Sequence, residues 1–193
     1  MKPVVACFNH GNAVDLLRDE YSRIWKLCTV YQSALERDAA ADRKSAARDL
    51  CRLVSICTLV EQEVLYPEVR KVDEELVFDL LLAYEEISAC MVEMRSLEPE
   101  DMDYDVAMLR LIDLVQDHIR QSEQMLLPLV ANEIPTVSLR PLAADLVQHR
   151  LLLETLALGK AAPRAVAVAG TPRLLHPSSA PVLEDIVEHR AAA

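Results

Sequence analysis

The chain has little of what strands, turns and phosphate loops are built from. Of its 193 residues only three are glycine and 4% are aromatic. Three glycines leave no Gly-rich loop to cradle a phosphate, and no Gly-x-Ser-x-Gly elbow occurs. Scarce aromatic and turn residues also argue against a sheet protein. Positive charge is short as well: 20 Lys and Arg stand against 31 Asp and Glu, for a net charge of −11. Affinity for a phosphate backbone rests on clustered cations, so nucleic acid is not an expected partner. The one basic cluster, Arg43, Lys44, Arg48 and Arg52, is interleaved with Asp42 and Asp49 and reads as a solvated helix face. No apolar stretch reaches the roughly 18 residues that a membrane span needs. The opening MKPVVACFNH has one Lys and too short an apolar run for a signal peptide, so the cytoplasm is the default expectation. Cys7, Cys28, Cys51, Cys57 and Cys90 form no CxxC pair and mostly sit among apolar residues at helical spacing, as reduced core side chains do.

What is present is helix-forming. The chain is 52% hydrophobic, with Leu, Ala, Val, Glu and Arg prominent, and its apolar residues recur at steps of three and four. A first helix starts near Asn12 or Asp15, either of which can cap, and carries Leu17, Tyr21, Ile24, Cys28, Tyr31 and Leu35 on one stripe. A second runs from about Ala41 to Arg70, with Pro67 marking a kink or stop near its end. A third covers about Asp73 to Arg95, a fourth about Tyr104 to Ala131, and the acidic, Pro-bearing segment between them is a loop. Trp25, beside Ile24, reads as a core or helix-packing residue. The fold class expected is all-α: an antiparallel up-down four-helix bundle over residues 1–134, an extra helix within 135–160 starting near Pro141, and an irregular Ala/Pro-rich tail over 161–193. The fifth helix and the Ala/Pro tail are the candidate contact surface for a second copy or a protein partner.

Several polar groups fall on the inward stripes, where burial is costly unless they are paired or bound. Cys57 and Glu61 are four apart and project from one helix face, one turn from each other. His118 faces inward, and Glu123 comes within its reach if the helix is slightly distorted between them. Tyr21 and Tyr84 occupy the inward stripes of the other two helices. Thiolate, imidazole, carboxylate and phenolate are all metal ligands, so Cys57, Glu61, His118 and Glu123 could hold one iron or zinc ion. A metal-free hydrogen-bonded cluster, with His118 paired to Glu61 or Glu123, is an equally open reading. A third is a small-molecule enzyme working in a remodelled core. The Glu-x-x-His of ferritin-type di-iron sites is absent, since Val115 and Leu146 stand three residues before His118 and His149. His10, His149, His176 and His189 read as surface or capping residues.

The segment Cys57-Thr-Leu-Val-Glu61-Gln-Glu-Val-Leu-Tyr-Pro67 resembles the second-helix motif of the hemerythrin-type (HHE) family, His-x-x-x-Glu followed by an apolar pair and Tyr-Pro. Asp117-His118-Ile-Arg-Gln-Ser-Glu123-Gln-Met-Leu-Leu-Pro128 resembles that family's fourth-helix motif, and Asn12 to Tyr21 its leading helix. The resemblance covers roughly residues 12–130. It implies a bundle whose centre holds two irons through five histidines and two bridging carboxylates, with Glu61 and Glu123 as the carboxylates and His118 as one histidine. Tyr21, Cys57, Tyr84 and Ser88 stand where other histidines are expected. A complete dioxygen carrier is therefore not expected. The resemblance with these departures points to an incomplete site taking one metal ion in a sensing or redox role.

Overall fold

The computed structural model describes residues 11–99 and 101–158. The expectations for Cys7, His10, His176, His189 and the 161–193 tail lie outside the described residues. Helix α1 (Ala13–Glu36) begins where Asn12 caps it, the Asn12 carboxamide oxygen accepting from Val14 N at 2.8 Å and Asp15 N at 3.2 Å. Such a cap contributes on the order of 1 kcal/mol by giving orphan amides a partner. Asp38, with φ of 51°, turns the chain into α2 (Ala40–Val60), using the left-handed conformation that Asp tolerates. Helix α4 (Glu74–Met94) starts on a second side-chain cap, Asp73 accepting from Leu76 N at 2.9 Å.

Two of the four long helices are interrupted by a wider turn at matching places. After α2 comes a π turn, Glu61–Leu65, and then α3 (Tyr66–Val69). After α5 (Met102–Gln121) comes a second π turn, Ser122–Leu126, and then α6 (Leu127–Glu133). The cause is in the sequence. Pro67 and Pro128 have no amide hydrogen, and their rings crowd the carbonyl four residues back, so the preceding turn widens. The bonds then reach back five residues, Tyr66 N to Glu61 O and Leu127 N to Ser122 O. The continuous rod through α2 and α3 replaces the stop that Pro67 alone would allow.

The four rods pack their apolar stripes into one core, α1 against α2 and α4 against α5, with α1 also meeting α5 and α6. Among the described residues there is no strand, and no helix is long and apolar enough to cross a membrane. Helix α7 (Thr136–Leu158) packs outside the rods, on α1, α2 and the first π turn. It starts before Pro141, not at it, because a proline one turn in removes a single backbone bond, while Leu139, Leu142 and Leu146 are buried in return. Trp25 is 39% exposed and does not serve as core. Arg43 leaves the solvated face expected of it. Its guanidinium donates to Asp105 at 2.6 Å, and Tyr31 donates to the same carboxylate at 2.5 Å, tying α1, α2 and α5 together.

Candidate metal centre

One carboxylate organises the middle of the bundle. The first π turn places Glu61 and Tyr66, five residues apart, on the same face, and the Tyr66 hydroxyl donates to Glu61 Oε2 at 3.1 Å. From α4, the Tyr84 hydroxyl donates to the same oxygen at 2.5 Å. His118 of α5 brings Nε2 to 3.8 Å from it, with its ring 4.2 Å from that of Tyr84. Ser122 Oγ lies 3.4 Å from the same His118 nitrogen. Glu61 is only 2% exposed and His118 5%. A cavity of about 10 Å³ runs between Tyr21, Glu61, Tyr84 and His118, walled by Ile24, Val54, Ile87 and other branched side chains. That is room for about one water-sized occupant. The Tyr21 hydroxyl is buried beside Glu61 and Ser122 yet meets neither in hydrogen-bonding geometry, and His118 Nδ1 also lacks a partner.

Burial pushes the phenols of Tyr21, Tyr66 and Tyr84 well above their ordinary value, and the neighbouring Glu61 charge pushes them further. In the protein as it stands all three are protonated, and Tyr66 and Tyr84 donate to the carboxylate. The Cys57 thiol is likewise held up by burial first and Glu61 second. It does not turn toward Glu61 but donates to Glu20 Oε2 at 3.5 Å. Glu20 is buried and ion-paired through Oε1 to Arg150 of α7, with Arg23 at 3.3 Å from the same oxygen.

Of the six residues singled out from the sequence, the structure brings Tyr21, Glu61, Tyr84 and His118 around one cavity, with Cys57 on its wall. It does not bring Glu123 there. Glu123 is exposed, and Ser122 takes the inward place because the helix stays α-helical from His118 to Gln121 and widens only afterwards. The distortion that was to bring Glu123 round lies one turn too late. Ser88 is exposed too, the inward position being filled by Ile87. The tetrad of Cys57, Glu61, His118 and Glu123 is thus not assembled, and among the described residues no three His, Cys, Asp or Glu side chains form a metal-ligand group. Sequence reasoning passed over Tyr66, Ser122, Glu20 and Arg150. Tyr66 stood in the quoted Tyr-Pro motif, five residues from Glu61, and the matching distance back from Pro128 singles out Ser122. Nothing in the sequence pairs Glu20 with Arg150.

The sequence profile of the hemerythrin HHE cation-binding domain matches residues 12–130. The chain therefore belongs to that family. A crystal structure of an HHE cation-binding domain-containing protein from Mycobacterium kansasii superposes with a TM-score of 0.68 over 77% of this chain and 91% of the other, at 14% identity. At that identity the likeness speaks for the bundle alone. No curated protein sequence matches the chain.

The family's two-metal centre does not fit these residues. One carboxylate and one imidazole face the cavity, the place for a second carboxylate holds Ser122, and the volume of about 10 Å³ leaves no space for two ions with a bridge. Tyr21, Glu61, Tyr84 and His118 surround a single small cavity, and the Tyr21 hydroxyl there has no partner.

Proposed function

We propose that this is a hemerythrin-like protein whose centre takes a single metal ion, in a sensing or redox role and not as a dioxygen carrier. The observation that carries the reading is the buried, unpartnered Tyr21 hydroxyl facing the cavity that Glu61, Tyr84 and His118 also line. Carboxylate and phenol oxygens with one imidazole form a hard donor set, and with Cys57 turned to Glu20 the thiolate that would favour zinc is withdrawn. Ferric iron is the ion this set suits. When bound, it supplies a one-electron couple. Glu61 and His118 would hold it, and Tyr21 and Tyr84 would complete the shell by giving up phenol protons that burial otherwise retains. The apolar wall keeps bulk water out.

Elemental analysis and a visible spectrum of the full chain after loading with ferric iron test the reading. A single equivalent of iron is expected, with a tyrosinate-to-iron charge-transfer band that weakens in Tyr21→Phe and Tyr84→Phe. Iron retained by Glu61→Ala, His118→Ala protein, or a colourless iron form, would overturn the assignment. A second reading, a metal-free bundle acting through protein contacts, is favoured by one observation: Glu61 already accepts from two phenols. Protein that stays metal-free after loading with iron and with zinc supports it. The enzyme reading needs a sizeable polar-lined cavity beside Glu61 and His118, and the two cavities touching Glu61 are about 10 and 20 Å³.

A further inference from the structure

A helix from outside the family-matched segment lines a second cavity that lies beside the centre. Two cavities meet at Cys57 and Glu61. The inner one is that of the candidate centre. The outer, about 20 Å³, lies in the seam between α1, α2 and α7, with Glu20, Ile56 and Val60 along it and Leu146 and Arg150 as the contribution of α7. Elsewhere the inner cavity is bounded by core side chains such as Ile24, Val54 and Ile87, which lie in the interface between bundle rods. Opening there would pull neighbouring rods away from each other. The seam is different, because α7 covers it from outside and sets two consecutive residues against acidic side chains of the bundle. Arg150 pairs with Glu20, next in the chain to Tyr21, and donates to Glu154 at 2.9 Å. His149 Nε2 stands 2.6 Å from Glu63, in the π turn that carries Glu61. Leu146 is 1% exposed and Arg150 8%, so the seam is shut.

We infer that the α1–α2–α7 seam is the access port to the bundle centre, and that Arg150 and Leu146 are the residues that select what passes it. The shut seam leaves room for little more than one water, so passage needs a local opening that favours small molecules over bulky ones. Opening it takes a local displacement of α7, which costs less than unfolding the bundle. The bearing on metal chemistry rests on the single-ion reading above, but the port is a property of the protein with or without metal.

The Cys57 thiol sits on the wall shared by the two cavities and reports on the port directly. The full, metal-free chain is treated with a small thiol reagent, methyl methanethiosulfonate, and separately with bulky dithiobis-nitrobenzoate. Labelling of Cys57, Cys28 and Cys90 is followed peptide by peptide by mass spectrometry. Cys28 and Cys90 lie in the core away from the seam and register global unfolding. In the unaltered protein Cys57 should react faster with the small reagent than with the bulky one. Arg150→Ala and Leu146→Ala should each speed Cys57 labelling by about ten-fold or more, the bulky reagent gaining most, with Cys28 and Cys90 unchanged. Unchanged Cys57 rates in both variants overturn the inference. If Arg150→Ala speeds all three thiols together it has unfolded, and Leu146→Ala, which strands no charge, decides. A parallel rise of all three in both variants shows that the seam opens only with the whole fold and also overturns it. The assay contains no metal, so its failure is distinct from a failure of the iron reading.

Discussion

Replacing Glu61 by leucine isolates what the buried carboxylate does for the fold. Glu61 Oε2 accepts from Tyr84 at 2.5 Å and Tyr66 at 3.1 Å, and the side chain is 2% exposed. Leucine is of similar size but accepts nothing, so two buried phenols lose their partner. Each stranded donor costs about 1–3 kcal/mol, giving about 2–6 kcal/mol for the pair. The added variant Glu61→Leu, Tyr66→Phe, Tyr84→Phe removes the donors as well. Exchanging a whole buried polar cluster for packed apolar groups is typically neutral or stabilising, so the triple variant should regain most of what the single one loses. The assay is equilibrium urea unfolding followed by helical circular dichroism, in chelator so that every variant is compared metal-free. In a thermal scan each kcal/mol corresponds to about 2–4 °C for a domain of this size. A Glu61→Leu protein as stable as the parent, or a triple variant no more stable than Glu61→Leu, would show that the phenol–carboxylate cluster is not what holds the centre together.

Three further outcomes follow from the same geometry. Tyr21, Tyr66 and Tyr84 have their phenols raised above an ordinary value of 10.0. The stability they contribute is therefore present below about pH 10 and falls above it, as the unfolded chain releases protons that the native state keeps, by about 1.4 kcal/mol per pH unit for each phenol. Urea titrations across that range should show the decline and a shallower slope for Tyr66→Phe, whereas a flat profile to about pH 11 contradicts the burial argument. The raised Cys28 and Cys57 thiols start the decline about one unit lower. Glu123→Ala, at an exposed position, should change stability by less than about 0.5 kcal/mol and leave iron content unaltered; loss of iron would return Glu123 to the ligand set. Tyr31→Phe removes the 2.5 Å bond to Asp105 and should cost about 1–2 kcal/mol. Its iron content should not change, because Tyr31 lies about 15 Å along α1 from Tyr21.

The helices were legible because each rests on local signals: Asn12 as a cap, apolar steps of three and four, and prolines 67 and 128 near the ends of the second and fourth rods. The inward placement of Tyr21, Glu61, Tyr84 and His118 followed from the same periodicity. The Glu20–Arg150 pair was not legible, because it joins two helices whose contact no stripe encodes, and a charged pair buried by tertiary packing looks on paper like two surface residues. Arg43 misled for the same reason, since its partner Asp105 lies 62 residues away. Trp25 misled in the other direction. It sits next to the inward Ile24 but just off the stripe, and helical phase decides its exposure over hydrophobicity.

Glu123 was misplaced by a question of phase that the prolines themselves answer. A π turn adds one residue to a rod, so positions before and after it cannot be matched by counting forward from a histidine alone. Counting back from proline removes the ambiguity, because proline fixes where the turn widens. Glu61 stands six residues before Pro67 and Ser122 six before Pro128, and both begin their π turns. Cys57 and His118 then correspond, each ten residues before its proline. In this register the two rods each keep one donor of a matched pair: the first retains the carboxylate and has Cys57 in place of an imidazole, while the second retains the imidazole and has Ser122 in place of a carboxylate. What is left is one carboxylate facing one histidine across the bundle. The phenols of Tyr21, Tyr66 and Tyr84 close around that pair.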